Sequence, residues 1–496
     1  MAVLLFIVLC VLIGAFILFR KRSRQIPGPI GKPLIGNVSD LNLKSLHIKL
    51  FEWNQQYGDI FQFSIFSKKF VVINSSDVLR EAFLEEPNAS IFAARPEMFF
   101  AKYFYKNSDL AFSSLDPTWN KRKKLVHQKL NAYGEGLLRL EKQINRNLTA
   151  LMEEIQLIEG QSIDPASMIE DFIFNTVETL VLGRVYGKHT GFQGLMKKID
   201  SLGNEVSNLG PDMIYNIFPF LRFFPFAHSK KLNELLKTKQ EMISIVEQLS
   251  TENPEDNGMY QSLKKVLEEK DETGHCWFKD DNLWGIIMNI FGGAYLTTRG
   301  TIMSMLHILA KRPDVQKSLQ TEIDNVIGDV REPEIRDRQQ CPLVEAFVLE
   351  TLRYISHTPL ALHSTQEATS IAGYHVEKNT SVLACFWSMH HSDTEWEDPF
   401  LFKPERFLEQ DGSLKPASDP VRKRFLLFGT GRRSCPGEVF AKSRLFLFLS
   451  SLLQSFNVME PEDHSLPEFD PREMDSGLIM QPKPFKIRFE RRKQRF

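Results

Sequence analysis

"FGTGRRSCPGE", Phe428 to Glu438, encloses one cysteine among glycines and arginines. A cysteine taken alone is most often a small buried hydrophobe. The surroundings of Cys435 point to chemistry instead. Gly429, Gly431 and Gly437 remove side chains on both sides of the sulfur. The backbone can then approach a flat ligand and aim N–H groups at a thiolate. Arg433 adds positive charge suited to anionic groups. Pro436 and Gly437 open an apolar run, "EVFAKSRLFLFLSSLL", that reads as a helix. Its N-terminal dipole favours a thiolate at its start.

Upstream, "ETLR" places Glu350 and Arg353 at i, i+3, on one face of a helix. Alone, such a pair is usually a surface pair. "PERF", Pro404 to Phe407, supplies Arg406. Together these stretches resemble one family. Phe428, Gly431, Arg433, Cys435 and Gly437 match the F-x-x-G-x-R-x-C-x-G signature of the cytochrome P450 haem-thiolate monooxygenases. From average usage, chance would give that match in roughly one chain in ten thousand. The resemblance runs from the N-terminus to "GLIMQPKPFKIRF" near the end and looks most like the animal microsomal group. It implies the cytochrome P450 fold, mainly α with small β-sheets, preceded by one N-terminal transmembrane helix. It implies haem b with Cys435 as the axial iron ligand and Phe428, Gly429 and Gly437 beside the cofactor. It also implies a buried ion network of Glu350, Arg353 and Arg406 behind the loop. A buried charge needs a partner, so that arrangement is physically sensible.

The resemblance implies grips for the haem propionates as well. Trp119 fits the tryptophan of a W-x-x-x-R motif, but the arginine position holds Lys123, with Arg122 beside it. A lysine pairs a carboxylate as a point charge, without the bidentate fork. His363 in "TPLALHST" matches a position where the family often has His or Arg; alone it would be a strand histidine. Arg433 completes the set. "NKRKKLVHQK", Asn120 to Lys129, is a basic helical patch. A charge run is usually a solvated face. In this family such a helix lies on the cysteine side, where it would dock an acidic flavoprotein reductase that relays electrons from NADPH.

The 496 residues suffice for one large domain, and the net charge of −1 implies no bulk attraction to nucleic acid. The 39 phenylalanines predict a thick aromatic core or an apolar pocket. Five scattered cysteines without a CxxC pair argue against a disulfide framework or a zinc site, and fit a reducing compartment. Ala2 to Phe19 is an unbroken apolar run, roughly 27 Å long as a helix, close to the hydrocarbon thickness. Arg20, Lys21, Arg22 and Arg24 follow it. The pattern predicts a transmembrane anchor at 1–19, a basic and proline-rich linker at 20–37 and the catalytic domain at 38–496. That domain would face the cytosol from the endoplasmic reticulum membrane. "DIFQFSIF" and "KFVVINSS" read as two strands with a turn at Ser67–Lys69. "IYNIFPFLRFFPFAH", Ile214 to His228, is either a buried connector or an exposed apolar patch that dips into membrane lipid.

The oxygen side is "GGAYLTTRGT", Gly292 to Thr301. The family reads A/G-G-x-D/E-T-T here. Counting back from Pro313 in "RPDV" makes Thr297 the catalytic threonine. Leu296 then holds the acid position and Ala294 a glycine position. A leucine side chain neither donates nor accepts a hydrogen bond. No Asp or Glu lies within two turns on either side. Water could enter past Thr297, Thr298 and a groove near Gly292–Gly293. An acid from another segment could fill the gap. Or the reaction could need no such proton, as when a lipid hydroperoxide or endoperoxide is rearranged. Three functions follow: a monooxygenase, a reductase-independent isomerase or dehydratase, and a haem-binding protein without turnover. The implied pocket includes Ala294, Leu296, Leu360, Leu362 and Leu478. Those side chains suit a sterol, a fatty acid or an apolar xenobiotic.

Overall fold

The computed structural model describes residues 25–42, 45–130, 135–207, 209–253, 258–270, 274 and 276–493. The expected anchor at 1–19 lies outside the described residues. Among those described, no helix is long and apolar enough to cross a membrane.

The chain is mainly helical, with small β-sheets, as the sequence predicts. Its principal helices are α1 (Ser76–Leu84), α2 (Trp119–Lys129), α3 (Ala166–Leu182), α4 (Phe192–Val206), α5 (Leu209–Ile217), α6 (Ala227–Glu252), α7 (Asp280–Lys311), α8 (Pro313–Val326), α9 (Pro342–Ile355) and α10 (Glu438–Ser455). The 32 residues of α7 make it about 48 Å long. The side chain of Asn282 caps its start by accepting from Lys279 N–H at 3.1 Å. It stops at Arg312, and Pro313 opens α8, since proline lacks the N–H that a continuing helix needs.

Helices α3, α4, α8, α9 and α10 all pack against α7. Nearly every side chain toward its two ends is therefore buried, as expected of a helix apolar all round. The middle differs. Gly293 is exposed, and Gly292, Ala294, Leu296 and Thr297 are half-buried.

Four strands form the larger sheet: β1 (Ile60–Ile65), β2 (Lys68–Ile73), β3 (Leu360–Ser364) and β4 (Ser381–Cys385), in the order β1-β2-β4-β3. The β1–β2 turn lies at Phe66–Ser67, not at the expected Ser67–Lys69. Phe66 takes a φ of 50°, and a two-residue turn of that hand matches the strand twist, so pairing begins at Ile65 and Lys68. Strand β4 is buried throughout, parallel to β2 and antiparallel to β3. Its register sets His363 opposite Val382 and Leu360 opposite Cys385.

Residues 26–37, the proline-rich end of the expected linker, lie along β1. Gln62 N donates to Pro27 O at 2.8 Å and Phe66 N to Ile35 O at 3.0 Å. Gly36 permits that approach, because a Cβ there would stand 2.5 Å from Ser64 O. The phenylalanines divide between two uses. Phe99, Phe100 and Phe104 join an aromatic layer in the main core, with Phe100 and Phe104 stacked at 5.2 Å. Phe218, Phe220, Phe223, Phe224 and Phe226, between α5 and α6, are all exposed. The connector is thus an exposed patch.

Candidate active site

Cys435 sits in the loop between Phe428 and α10. Cys435 N donates to Phe428 O at 2.8 Å, closing the loop. Gly437 N points back at the sulfur, 3.3 Å away. Gly429 and Gly431 both take a φ of 68°. Gly431 has a second reason to lack a side chain: its Cβ would stand 2.1 Å from Phe83 O on α1. Cys435 opens to accessible surface on one side, while dense packing on the other pushes its thiol pKa up. The Gly437 N–H and the Lys123 charge pull it back down. Phe428 is half-buried under the Lys442 ammonium, 5.2 Å from its ring.

Behind the loop, Glu350 and Arg353 are fully buried on α9. Their contact is bidentate: Arg353 Nε to Glu350 Oε2 at 2.7 Å and Nη2 to Oε1 at 2.8 Å. Arg353 Nη1 donates to His390 O at 2.7 Å. Glu350 Oε1 also accepts from Lys403 N at 2.9 Å and Arg406 Nε at 3.3 Å. The expected network is therefore present in space. It extends through a residue the sequence does not mark. His390 Nε2 accepts from Leu426 N at 3.1 Å, which leaves the ring proton on Nδ1, 3.0 Å from Ser356 Oγ. Burial holds His390 well below its usual pKa, hence neutral. The α9 ion pair thus reaches the backbone just before Phe428.

The residues expected at the propionates gather beside the loop. Arg433 donates to Ala93 O, Leu110 O and Ser113 O at 2.7, 3.0 and 2.8 Å. Its guanidinium lies 4.3 Å from the Trp119 ring, and Trp119 Nε1 also donates to Leu110 O. Burial and the nearby Arg95 push Arg433 down to about 9. Lys123 Nζ donates to Arg432 O at 2.7 Å and Ser434 Oγ at 3.3 Å. His363 Nδ1 donates to Phe92 O at 3.0 Å, and burial beside Arg95 and Arg433 holds the ring neutral. Arg95 is a second residue that the sequence does not mark. It donates to Ala111 O at 2.8 Å and to Leu362 O, and burial lowers it to about 10. Its one signal was an arginine in "FAARP", within a stretch otherwise apolar.

The basic face of α2 is smaller than the sequence suggests. Arg122 is buried on Asp116 at 2.6 Å and Thr118 at 3.0 Å, and Lys123 turns to the cysteine loop. Lys121 and Lys124 remain exposed.

On α7, Thr297 Oγ1 donates to Gly293 O at 2.6 Å. A Cβ at Gly292 or Gly293 would meet nothing within 4 Å. Leu296 is half-buried, and its carbonyl accepts from Gln481 Nε2 at 2.9 Å. Leu360 and Leu362 are half-buried on β3. Leu478 is exposed, held by its amide to Asn204 Oδ1 of α4 at 2.8 Å.

A central helix with a bared middle, packed against the helix that leaves a cysteine loop braced by a buried ion pair, is the build of the haem-thiolate oxygenases. Comparison with known proteins narrows this. The cytochrome P450 family model matches residues 26–489, so the chain belongs to that family and is one of its monooxygenases. Cytochrome P450 2U1 of Homo sapiens is 31% identical, over 98% of this chain and 92% of its own length. Steroid 17-alpha-hydroxylase/17,20 lyase of Ictalurus punctatus is 29% identical over 95% and 91%. Cytochrome P450 1A2 of Canis lupus familiaris is 28% identical over 89% and 88%.

Proposed function

We propose that this chain inserts one atom of dioxygen into an apolar small molecule, with electrons from NADPH relayed by a flavoprotein reductase. The observation that carries the proposal is Cys435, held in a loop that aims Gly437 N–H at its sulfur and is braced by Glu350–Arg353. The donor set fits haem b. Arg95 and Arg433 are two half-desolvated guanidiniums whose hydrogen bonds all go to carbonyls. Carbonyl dipoles hold a cation without neutralising it, so the corner keeps a net positive charge suited to two carboxylates. Neutral His363 carries its proton on Nδ1 and would serve a carboxylate only after that charge draws a second proton onto it. The bare strip at Gly292–Gly293 leaves room for a flat ring system. Haem supplies dioxygen activation on an iron made electron-rich by the thiolate.

The protein's part is placement. Gly437 N–H and Lys123 stabilise the sulfur as a thiolate. Thr297 donates a hydrogen bond to Gly293 O, so its lone pairs can accept one from water on the pocket side. Ala294, Leu296, Leu360, Leu362 and Leu478 would line an apolar site; the name of the steroid hydroxylase among the relatives agrees with a sterol-sized substrate. Lys121 and Lys124 would guide an acidic reductase. The exposed phenylalanines between α5 and α6 would rest in lipid, consistent with an anchor at 1–19 and a body on the cytosolic face of the endoplasmic reticulum.

The test is direct. Reduced holoprotein with carbon monoxide should give a thiolate-type Soret band. With reductase and NADPH it should hydroxylate a member of a sterol, fatty-acid and aromatic panel chosen by spectral shift. Conversion of a lipid hydroperoxide without NADPH, and no hydroxylation with it, would replace this reading by an isomerase.

A further inference from the structure

Arg444 lies in the middle of α10 and is 1% exposed. Its Nη2 reaches across to α7, where it donates to Ala294 O at 3.1 Å and to Thr298 Oγ1. The Phe440 ring lies 4.8 Å from its guanidinium carbon. Among the described residues no carboxylate pairs with it, and burial alone pushes it down to about 9. Its Nε–H and Nη1–H are buried with no acceptor. An unpaired buried cation is costly, and an apolar side chain of similar volume would usually serve the fold as well or better. Costs of this kind persist where function needs them.

The hydroxyls around it show what is gained. Thr297 donates to Gly293 O at 2.6 Å, Thr301 to Thr297 O at 2.8 Å and Ser304 to Gly300 O at 2.7 Å. Each is bonded back along its own helix. Thr298 Oγ1 instead accepts from Arg444, which leaves its proton free to donate. Arg444 thus brings charge and unused donors to the turn where Leu296 brings neither. Water held by an N–H donor turns its own O–H bonds outward. A guanidinium with Nε and Nη1 both unused is suited to hold one or two such waters against Thr298.

We propose that Arg444 is a positioning residue for proton delivery: its unused N–H groups order water between α10 and α7, and that water and Thr298 pass protons on to Thr297. Arg444 stays charged and gives up no proton itself. Each proton accepted by one oxygen is matched by one released to the next, and Thr297 turns its hydroxyl away from Gly293 O to release its own proton on the pocket side. The proposal rests on the monooxygenase reading and names how its oxygen side works without an acid at 296.

The test uses full-length holoprotein with reductase, NADPH and lauric acid as the apolar probe. Uncoupled turnover sends the two electrons of NADPH to dioxygen, which takes up two protons and leaves as hydrogen peroxide. In Arg444→Met the peroxide released per NADPH should rise several-fold and the D2O isotope effect should grow. The melting temperature should hold or rise. Adding Leu296→Glu to Arg444→Met should bring the peroxide fraction back down, because a carboxylate there restores a relay. A purely structural arginine would give the reverse: a lower melting temperature, an unchanged peroxide fraction and no rescue. That result overturns the proposal. If Arg444→Met does not fold, Thr298→Val decides: its peroxide fraction should rise in the same way, and no change overturns the proposal. Wild-type protein without a thiolate-type band would sink the monooxygenase reading first, and this proposal with it.

Discussion

Arg353 and Arg444 are both buried to 1% exposure or less, one behind the cysteine loop and one against the oxygen-side helix. Arg353 has an acceptor for Nε, Nη1 and Nη2, and two of those acceptors are oxygens of one carboxylate. Arg444 has acceptors for Nη2 alone. The contrast belongs to the two arginines, since His357 Nδ1 and Trp387 Nε1 near His390 are also buried without partners. Around Arg353, Glu350, Arg406 and His390 interlock through backbone groups. Around α7, Asp200 Oδ2 on α4 and Glu178 Oε1 on α3 are also buried without partners. A saturated network fixes a geometry; an unsaturated one leaves donors and acceptors for water or for reacting groups. Arg353 is therefore held in one geometry, while Arg444 keeps donors free for water.

The comparison can be broken at several points. Cys435→Ser should abolish the thiolate-type band and all turnover, read by carbon monoxide difference spectra; retained turnover would refute the assignment of the sulfur. Arg353→Met leaves the buried Glu350 with only Arg406 at 3.3 Å and the Lys403 amide, and should cost about 3–5 kcal/mol, read by thermal melting of the holoprotein. Thr297→Ala should leave stability unchanged while product per NADPH falls by roughly one to two orders of magnitude.

Glu178, whose Oε1 is buried without a partner while Oε2 accepts from Gly187 N at 3.4 Å, tests what a poorly satisfied acid costs. Burial raises it from 4.5 to about 7. The folded state binds its proton more tightly than the unfolded state does. The stabilisation is full below about pH 4.5 and is lost as pH rises through 7, by about 3 kcal/mol at most. Glu178→Gln should flatten the melting profile across that window; an unchanged slope would mean that the carboxylate is better solvated than its surroundings imply. The smallest effect is expected for Leu296→Glu in the wild-type background. If Arg444 and Thr298 already deliver protons, coupling should barely change, and a large gain would show the native route to be starved.

Much of the cysteine side was legible in the chain. Gly429, Gly431 and the E-x-x-R spacing are local rules, because a positive φ or an i, i+3 contact is settled within a few residues. The break between α7 and α8 is settled just as locally, by Pro313. The hairpin turn was misplaced by one to two residues, because Phe66 accepts a φ that sequence patterns reserve for glycine. Arg122 was grouped with a solvated face, yet it is buried on Asp116. Arg95 and His390 went unmarked, since their partners are carbonyls and amides, which carry no side-chain signature.

By itself the sequence determined the family and the absence of an acid at 296, and it marked Cys435 and Thr297 as the candidate ligand and the candidate proton-handling residue. Each depends on residue type and spacing along one stretch of chain. Only the tertiary structure decided that the phenylalanine-rich connector is exposed and that Arg95 joins Arg433. It also decided that Arg444, which reads in sequence as one polar position in an apolar helix, points its guanidinium at Ala294 and Thr298. Those facts depend on which segments meet across more than a hundred residues, and pairwise burial and hydrogen bonding are fixed only when the helices pack.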